Sequence, residues 1–151
     1  MSYDLLVFHD NGEGQPMSLS LLGDTAHGMA VTGILKGCQR FFLELFTVSG
    51  SLRGLPHRGC PFMQDAWSGL WQTPSDVQAS FAASLMTVRQ NLRADILDAD
   101  PAEERFADAQ LLDVQTIKDA TKLFIRYVSA AGTARVVEAP VPFSAISRRQ
   151  T

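Results

Sequence analysis

The chain has 151 residues, of which 46% are hydrophobic, with a net charge of −3 and a pI of about 5.5. This composition fits one globular domain that buries about 70% of its unfolded surface, and it excludes global disorder. The acidic balance argues against a DNA-binding domain, and no apolar run approaches the ~20 residues that a bilayer requires. Neither nucleic acid nor a membrane is therefore an expected partner. The start, MSYDLLVFHD, lacks the basic stretch and small-residue cleavage site of a secretory leader. Synthesis in a reducing cytosol is expected, and Cys38 and Cys60 are read as free thiols that act as small buried hydrophobes.

In chain order, residues 3–8 and 17–22 read as two short strands around the Asn11–Pro16 turn signals, giving an N-terminal hairpin. Residues 23–28 read as loop. The first clear helix is expected from an N-cap at Thr32 to about Thr47, with Ile34, Cys38, Phe41, Phe42 and Leu45 recurring at helical spacing. Gly33 and Gly37, four apart, admit two readings: close approach by a foreign helix, or a fit against the domain's own core. Residues 48–61 hold three glycines and two prolines and read as an irregular loop, and residues 62–71 as a short helix carrying Phe62, Met63, Trp67 and Trp71. A long helix is expected from a capping box at Ser75 and Gln78, along Val77, Phe81, Leu85, Val88, Leu92 and Ile96, to about Asp98 before Pro101. From Phe106 the pattern loosens toward alternation, Leu123–Val128 is β-rich, and Thr133–Val137 is the next strand, ended by Pro140 and Pro142. The expected class is α+β: two main helices packed on a small antiparallel C-terminal sheet, with an N-terminal β-hairpin extension. The expected organisation is a hairpin at 1–28, an α+β domain at 29–143 and a flexible tail at 144–151.

The search for chemistry is unproductive. His57 lies three residues before Cys60, but a loop does not fix the two side chains together, and nucleophilic catalysis needs that geometry. His57 and Cys60 supply half of a zinc site, and His9, His27 and Cys38 complete no recognised spacing. Asp98, Asp100, Glu103 and Glu104 read as a solvated connection more readily than as a glycosidase pair. Phosphate-loop and dinucleotide fingerprints are absent. Arg89 and Arg93 are expected to form surface ion pairs with Asp95 or Asp98. No catalytic, cofactor-binding or metal-binding residue is assigned. The last strand, Thr133–Val137, reads as a sheet edge able to accept a strand from another chain.

Two stretches, taken together, resemble a known family. One is Thr32–Thr47 followed by Gly50-Ser51 and by Pro56, Arg58, Gly59 and Cys60. The other is Asp100-Pro101-Ala102-Glu103-Glu104-Arg105 leading into Ala109–Leu112. Their order and spacing are similar to the baseplate wedge family of contractile phage tails, the protein W-like group that also carries a lysozyme name and is related to the baseplate E subunit of type VI secretion. The resemblance spans roughly residues 30–138 and leaves out the N-terminal hairpin. Two features depart from it: Pro101 stands apart from Arg105 where the family often reads Glu-Pro-Arg contiguously, and Phe46 replaces the usual Leu.

The resemblance implies a structural, non-enzymatic role in the virion, in the tail baseplate. The first helix would bundle with larger wedge subunits, which makes Leu35, Lys36, Gln39, Arg40, Leu43 and Phe46 candidate partner-binding residues. The C-terminal strands would pair with the tail sheath protein through Thr133, Arg135 and Val137. The central hub or spike is a further candidate partner. Gly50, Pro56, Gly59, Pro101, Glu104 and Arg105 are the motif residues. Two other readings stay open: a small thiol or carboxylate hydrolase acting on peptidoglycan, and a generic cytosolic adaptor.

Overall fold

The computed structural model describes residues 7–9, 15–20, 33–117 and 120–141. Alternation and helical spacing become an α+β fold in which strands β1 (Val7–His9) and β2 (Met17–Ser20) precede helices α1 (Ile34–Phe46), α2 (Phe62–Trp67) and α3 (Pro74–Ala94). A 3-10 turn at Ala102–Glu104 then leads into β3 (Phe106–Ile117), β4 (Ala120–Ser129) and β5 (Ala134–Val141). The last three strands pair antiparallel in the order β5-β4-β3. Thr32, residues 23–28 and the tail at 144–151 lie outside the described residues.

Period-two burial makes the sheet one-sided. Along β4, Thr121, Leu123, Ile125, Tyr127 and Ser129 are buried while Arg126 is exposed. The paired residues Leu111 and Val137 beside Ile125, and Ala139 beside Leu123, extend the same buried face. The helices cover that face. Phe41 of α1 stacks on Phe106 with ring centroids 5.3 Å apart and tilts against Tyr127 at 5.8 Å. Under α2 and α3, Phe62 meets Trp71 at 4.6 Å and Phe81 at 5.8 Å. Such offset and edge contacts add to burial itself.

Helix α1 is the buried helix of the domain. Cys38, Phe41, Phe42 and Leu45 are fully buried, and Gly37 faces the sheet. A β-carbon at Gly37 would collide with the Tyr127 hydroxyl and come within 3.2 Å of the Glu104 carbonyl. Of the two readings of the Gly33/Gly37 spacing, the fit against the domain's own core therefore holds for Gly37.

The long helix starts and stops earlier than its sequence suggests. Its N-cap is Thr73, not Ser75: Thr73 accepts from the Asp76 amide while Asp76 accepts from the Thr73 amide at 2.8 Å. Pro74 occupies the first helical position, where its fixed φ is preorganised and its missing N–H costs nothing. The helix ends at Ala94, because the amides of Asp95 and Ile96 turn back onto the Leu92 and Arg93 carbonyls. Ile96 thus leaves the apolar row and is 39% exposed.

The C-terminal sheet is also larger than the alternation implies. Strand β5 runs on to Val141, and Pro140, expected to end it, stands opposite Lys122 inside the strand. The N-terminal hairpin supplies the rest: β1 pairs antiparallel with β2, and β2 lies parallel to β5 with Met17 beside Val137 and Ser18 beside Glu138. The full order is β1-β2-β5-β4-β3. The expectation that Thr133–Val137 forms the sheet edge is corrected at Val137, while Ala134–Val136 have no described partner on that side. Val137 is fully buried and has neighbours on both sides, because β2 occupies the position a foreign strand would take. Among the described residues, β2 pairing extends only over Val137 and Glu138 and stops before Pro140, which has no N–H to give.

Replacing Gly37 with Ala should destabilise the domain by about 1–3 kcal/mol, the usual cost of overpacking a filled site, despite alanine's better helix propensity. Urea denaturation measures it. In a Tyr127→Phe background, which removes the colliding hydroxyl, the loss should shrink.

Candidate functional site

The residues singled out by sequence gather around the two ends of α1. At its C-terminal end Glu44 is only 4% exposed, although it carries a carboxylate. A buried carboxylate needs partners on its oxygens, and these come from three segments. The Gly59 amide donates to Oε1 at 2.8 Å, the Asn91 side chain of α3 donates to the same oxygen at 2.5 Å, and the Arg58 guanidinium lies 3.3 Å from Oε2. Asn91 also donates to the Gly59 carbonyl at 3.3 Å, and Arg58 continues to Asp95.

The loop after α1 closes on this carboxylate. The Cys60 amide donates to the Thr47 carbonyl at 2.9 Å, and Val48 and Cys60 form a parallel bridge. Gly59 has φ +86, and any β-carbon there would strike the Thr47 backbone, so glycine is required on two grounds. Gly50 turns the chain out of α1, and Pro56 sits exposed on the loop.

At the other end of α1, Glu104 is 7% exposed and performs a related task. Its Oε2 lies 3.0 Å from Lys36 Nζ, and its Oε1 accepts from the Gly33 amide at 3.4 Å. The N-cap is Gly33, α1 has no side-chain cap, and the Gly33 amide itself is met by Glu104, 71 positions away. Asp100 accepts from the Leu97 amide at 3.1 Å and pairs with Arg40 at 3.4 Å. The Leu97 hydrogen bond first, and the Arg40 charge after it, hold the Asp100 carboxyl below the usual carboxylate range. Arg105 donates to the Asp98 carbonyl at 3.2 Å, and its own carbonyl accepts from Ala130. Pro101 stands in extended backbone just before the turn. Two members of the acidic cluster, Asp100 and Glu104, thus anchor α1.

These placements change the expected helix surface. Gln39 is 5% exposed and lies inside the domain, so it is unavailable to a partner. Lys36 and Arg40 are engaged by Glu104 and Asp100. Leu35 and Phe46 are half-buried against the core, and only Leu43, 41% exposed, stands clear. On β5, Thr133 is exposed in the preceding turn, and Arg135 is exposed but lies opposite Tyr127, in the row that faces the helices. Arg89 reaches Asp108 at 2.7 Å, not Asp95 or Asp98, and its guanidinium sits 6.0 Å from the Phe106 ring centre.

The chemical candidates separate. Cys60 is fully buried with its thiol donating to the Leu45 carbonyl at 3.2 Å, whereas His57 is exposed. Burial pushes both thiols up, Cys38 to about 12, which makes them poor nucleophiles. A shallow cleft between Arg40, Leu92, Asp100 and Arg105 has the room of a water molecule, not of a substrate. Among the described residues no group of three or more His, Cys, Asp or Glu is arranged to hold a metal, and no helix is long and apolar enough to cross a membrane.

The far edge of the sheet is blunted. On β3 the register shifts twice, between Phe106 and Asp108 and between Leu111 and Asp113. Asp113 accepts from the Val114 amide at 2.8 Å, and Gln78 of α3 donates to the Leu111 carbonyl at 3.2 Å. Bulges and side chains that occupy backbone groups discourage strand addition. A scan against protein-family models and searches of curated proteins and of solved structures return no match.

Replacing Glu44 with Ala should cost about 3 kcal/mol or more, because Arg58, Asn91 and the Gly59 amide lose a buried partner. Replacing it with Gln, which keeps an acceptor, should cost less; urea midpoints rank the two. A second expectation concerns acid. The stability Asp100 contributes is present above its ordinary pKa near 3.8 and disappears as pH falls through its lowered folded value. The stability gap between wild type and Asp100→Asn should therefore be flat at neutral pH and close below about pH 4, as thermal melts across pH would read.

Proposed function

We propose that the chain is a structural subunit of a baseplate wedge in a contractile phage tail. In this reading it works in the virion, attaches to larger wedge subunits and links the baseplate to the tail sheath. One observation carries the reading. The first family-like stretch contains α1 and the loop whose Arg58 and Gly59 hold it through Glu44, and the second, Asp100–Arg105, holds the other end of α1 through Glu104. Of the motif residues, Gly59 and Glu104 perform a definite mechanical task there, which is what a signature shared by a fold family needs to reflect. The burial of Cys60 and the use of the acidic residues as anchors favour this structural reading over a hydrolase.

Strand pairing with the sheath takes a narrower form than the sequence suggests. Val137 is already covered by β2, but no described strand pairs with the outer side of Ala134–Val136. Backbone N–H direction alternates along a strand, so Val136 shares its side with Pro140. The strand accommodates a residue without an N–H at that parity, opposite Lys122.

The test is co-expression of the full chain with the larger wedge subunits and sheath protein of the same tail. A single complex on size exclusion is expected. Val136→Pro should leave the isolated domain folded, keep the wedge complex and lose sheath attachment. Failure of the wild-type chain to join any of these proteins would defeat the reading.

A further inference from the structure

The N-terminal hairpin falls outside both family-like stretches, and its place in the sheet gives it a task of its own. Without it the sheet would end on two long strands, β3 and β5. Strand β3 is guarded by its own irregularities: two register shifts, Asp113 on the Val114 amide and Gln78 on the Leu111 carbonyl. Strand β5 has no such device. It pairs with β4 along the whole of Ala134–Val141 without a register shift, and it carries adjacent valines at Val136 and Val137. Of its two charges, Glu138 is engaged by Lys122 at 2.6 Å, which leaves Arg135. A long, regular edge with β-branched residues at its middle is a template for another strand.

What stands over that edge is β2. Met17 lies beside Val137 and is 2% exposed, so the hairpin is seated by a side chain inside the core as well as by its backbone. Outside β2 comes β1, which spans only Val7–His9. The hairpin thus moves this edge of the sheet from a strand of 8 residues to one of 3. Very short edge strands are one way in which natural sheets avoid pairing. The cover also stops where it can: beyond Glu138, Pro140 has no N–H to give. On the other side Ala134–Val136 have no described partner. So short a stretch makes too few hydrogen bonds to offset the freedom that two separate chains lose on associating.

We infer that the β1–β2 hairpin is an edge guard, which keeps β5 from pairing with β5 of a second copy of the chain. A strand laid antiparallel against its own twin closes as a two-fold pair, and it needs nothing that the chain does not already carry. A register centred on Val136 sets Val136 against the partner's Val136 and Ala134 against the partner's Glu138. Each pair then shares a face of the joined sheet, as antiparallel pairing requires. With β2 seated, Glu138 is taken and this register cannot form. The inference goes beyond the wedge reading and does not depend on it, because it concerns the chain before any other protein is met.

The test is the oligomeric state of the full chain, read by sedimentation over a wide range of concentration. Wild type should be monomeric. Met17→Asp puts a charge where the hairpin is seated and should free β2, which tightens self-association by about tenfold or more. Faster amide exchange across Val137 and Glu138 shows that β2 has lifted, and a cooperative urea transition shows that the rest is folded. Adding Val136→Pro removes a ladder donor at the centre of the self-paired register and should restore the monomer. Should Met17→Asp fail to fold, Met17→Ala, which removes the anchor without adding a charge, carries the same expectation on a smaller scale. A folded variant with β2 lifted that stays monomeric overturns the guard. So does self-association that Val136→Pro leaves unchanged, because another surface is then responsible. Wild-type dimers that Val136→Pro dissolves would overturn it as well, since the seated hairpin would be guarding nothing.

Discussion

A carboxylate in the wrong kind of place holds this domain together. Glu44 lies in the run Phe41-Phe42-Leu43-Glu44-Leu45-Phe46, where its neighbours Phe41, Phe42 and Leu45 are fully buried. Burying a charge is unfavourable unless every oxygen finds a donor, so the structure around it is constrained in three directions at once. The Gly59 amide must come back to it, which closes the loop. Asn91 must reach it, which sets the rotation of α3 against α1. Arg58 must lie over it, which in turn ties the loop to Asp95 just past the end of α3. Remove the carboxylate and each of these segments keeps its local preferences but loses the reason for its position.

Glu104 repeats the device at the other end of α1. A helix with no capping side chain of its own has its first amide met by a residue from the turn before β3. Since Lys36 and Arg40 lean on Glu104 and Asp100, α1 is clamped by acidic groups from outside the helix along its solvent side as well. Its other side carries Phe41 onto Phe106 and Tyr127, with Gly37 allowing that contact. The amphipathic helix is thus an internal beam with few side chains to spare for a partner.

Much of this was legible from spacing alone. The limits of α1 fall within a residue or two of those expected, the three C-terminal strands follow the alternation, and the α+β class holds. What escaped depends on pairs of distant residues. Ser75 and Gln78 satisfy a capping pattern as well as Thr73 and Asp76 do, and Pro74 decides between them. Nothing local to Thr133–Val137 records that β2 lies beside it, because a parallel partner from the N-terminus leaves no mark on the strand it covers. Pro140 marks a strand end only if its N–H is needed, and here the β2 pairing has already stopped. The Glu44 site did leave a signal: one acidic residue among aromatic and aliphatic neighbours on a helix otherwise read as core. Its donors, 14 to 47 positions further on, left none.

The same constraint bears on which surfaces the domain leaves uncommitted. A helix clamped at both ends and along its charged side leaves little beyond Leu43 exposed, and on the sheet's far edge Asp113 and Gln78 engage the Val114 amide and the Leu111 carbonyl. The loop over Glu44 combines a fixed base with an exposed outer turn. Its base is tied to the Glu44 carboxylate through the Gly59 amide, while its outer turn keeps two leucines and an arginine exposed. A floppy loop with those side chains would lose ordering entropy on every encounter. Here the buried carboxylate orders the base of the loop as part of the fold itself, so that entropy is already spent on folding.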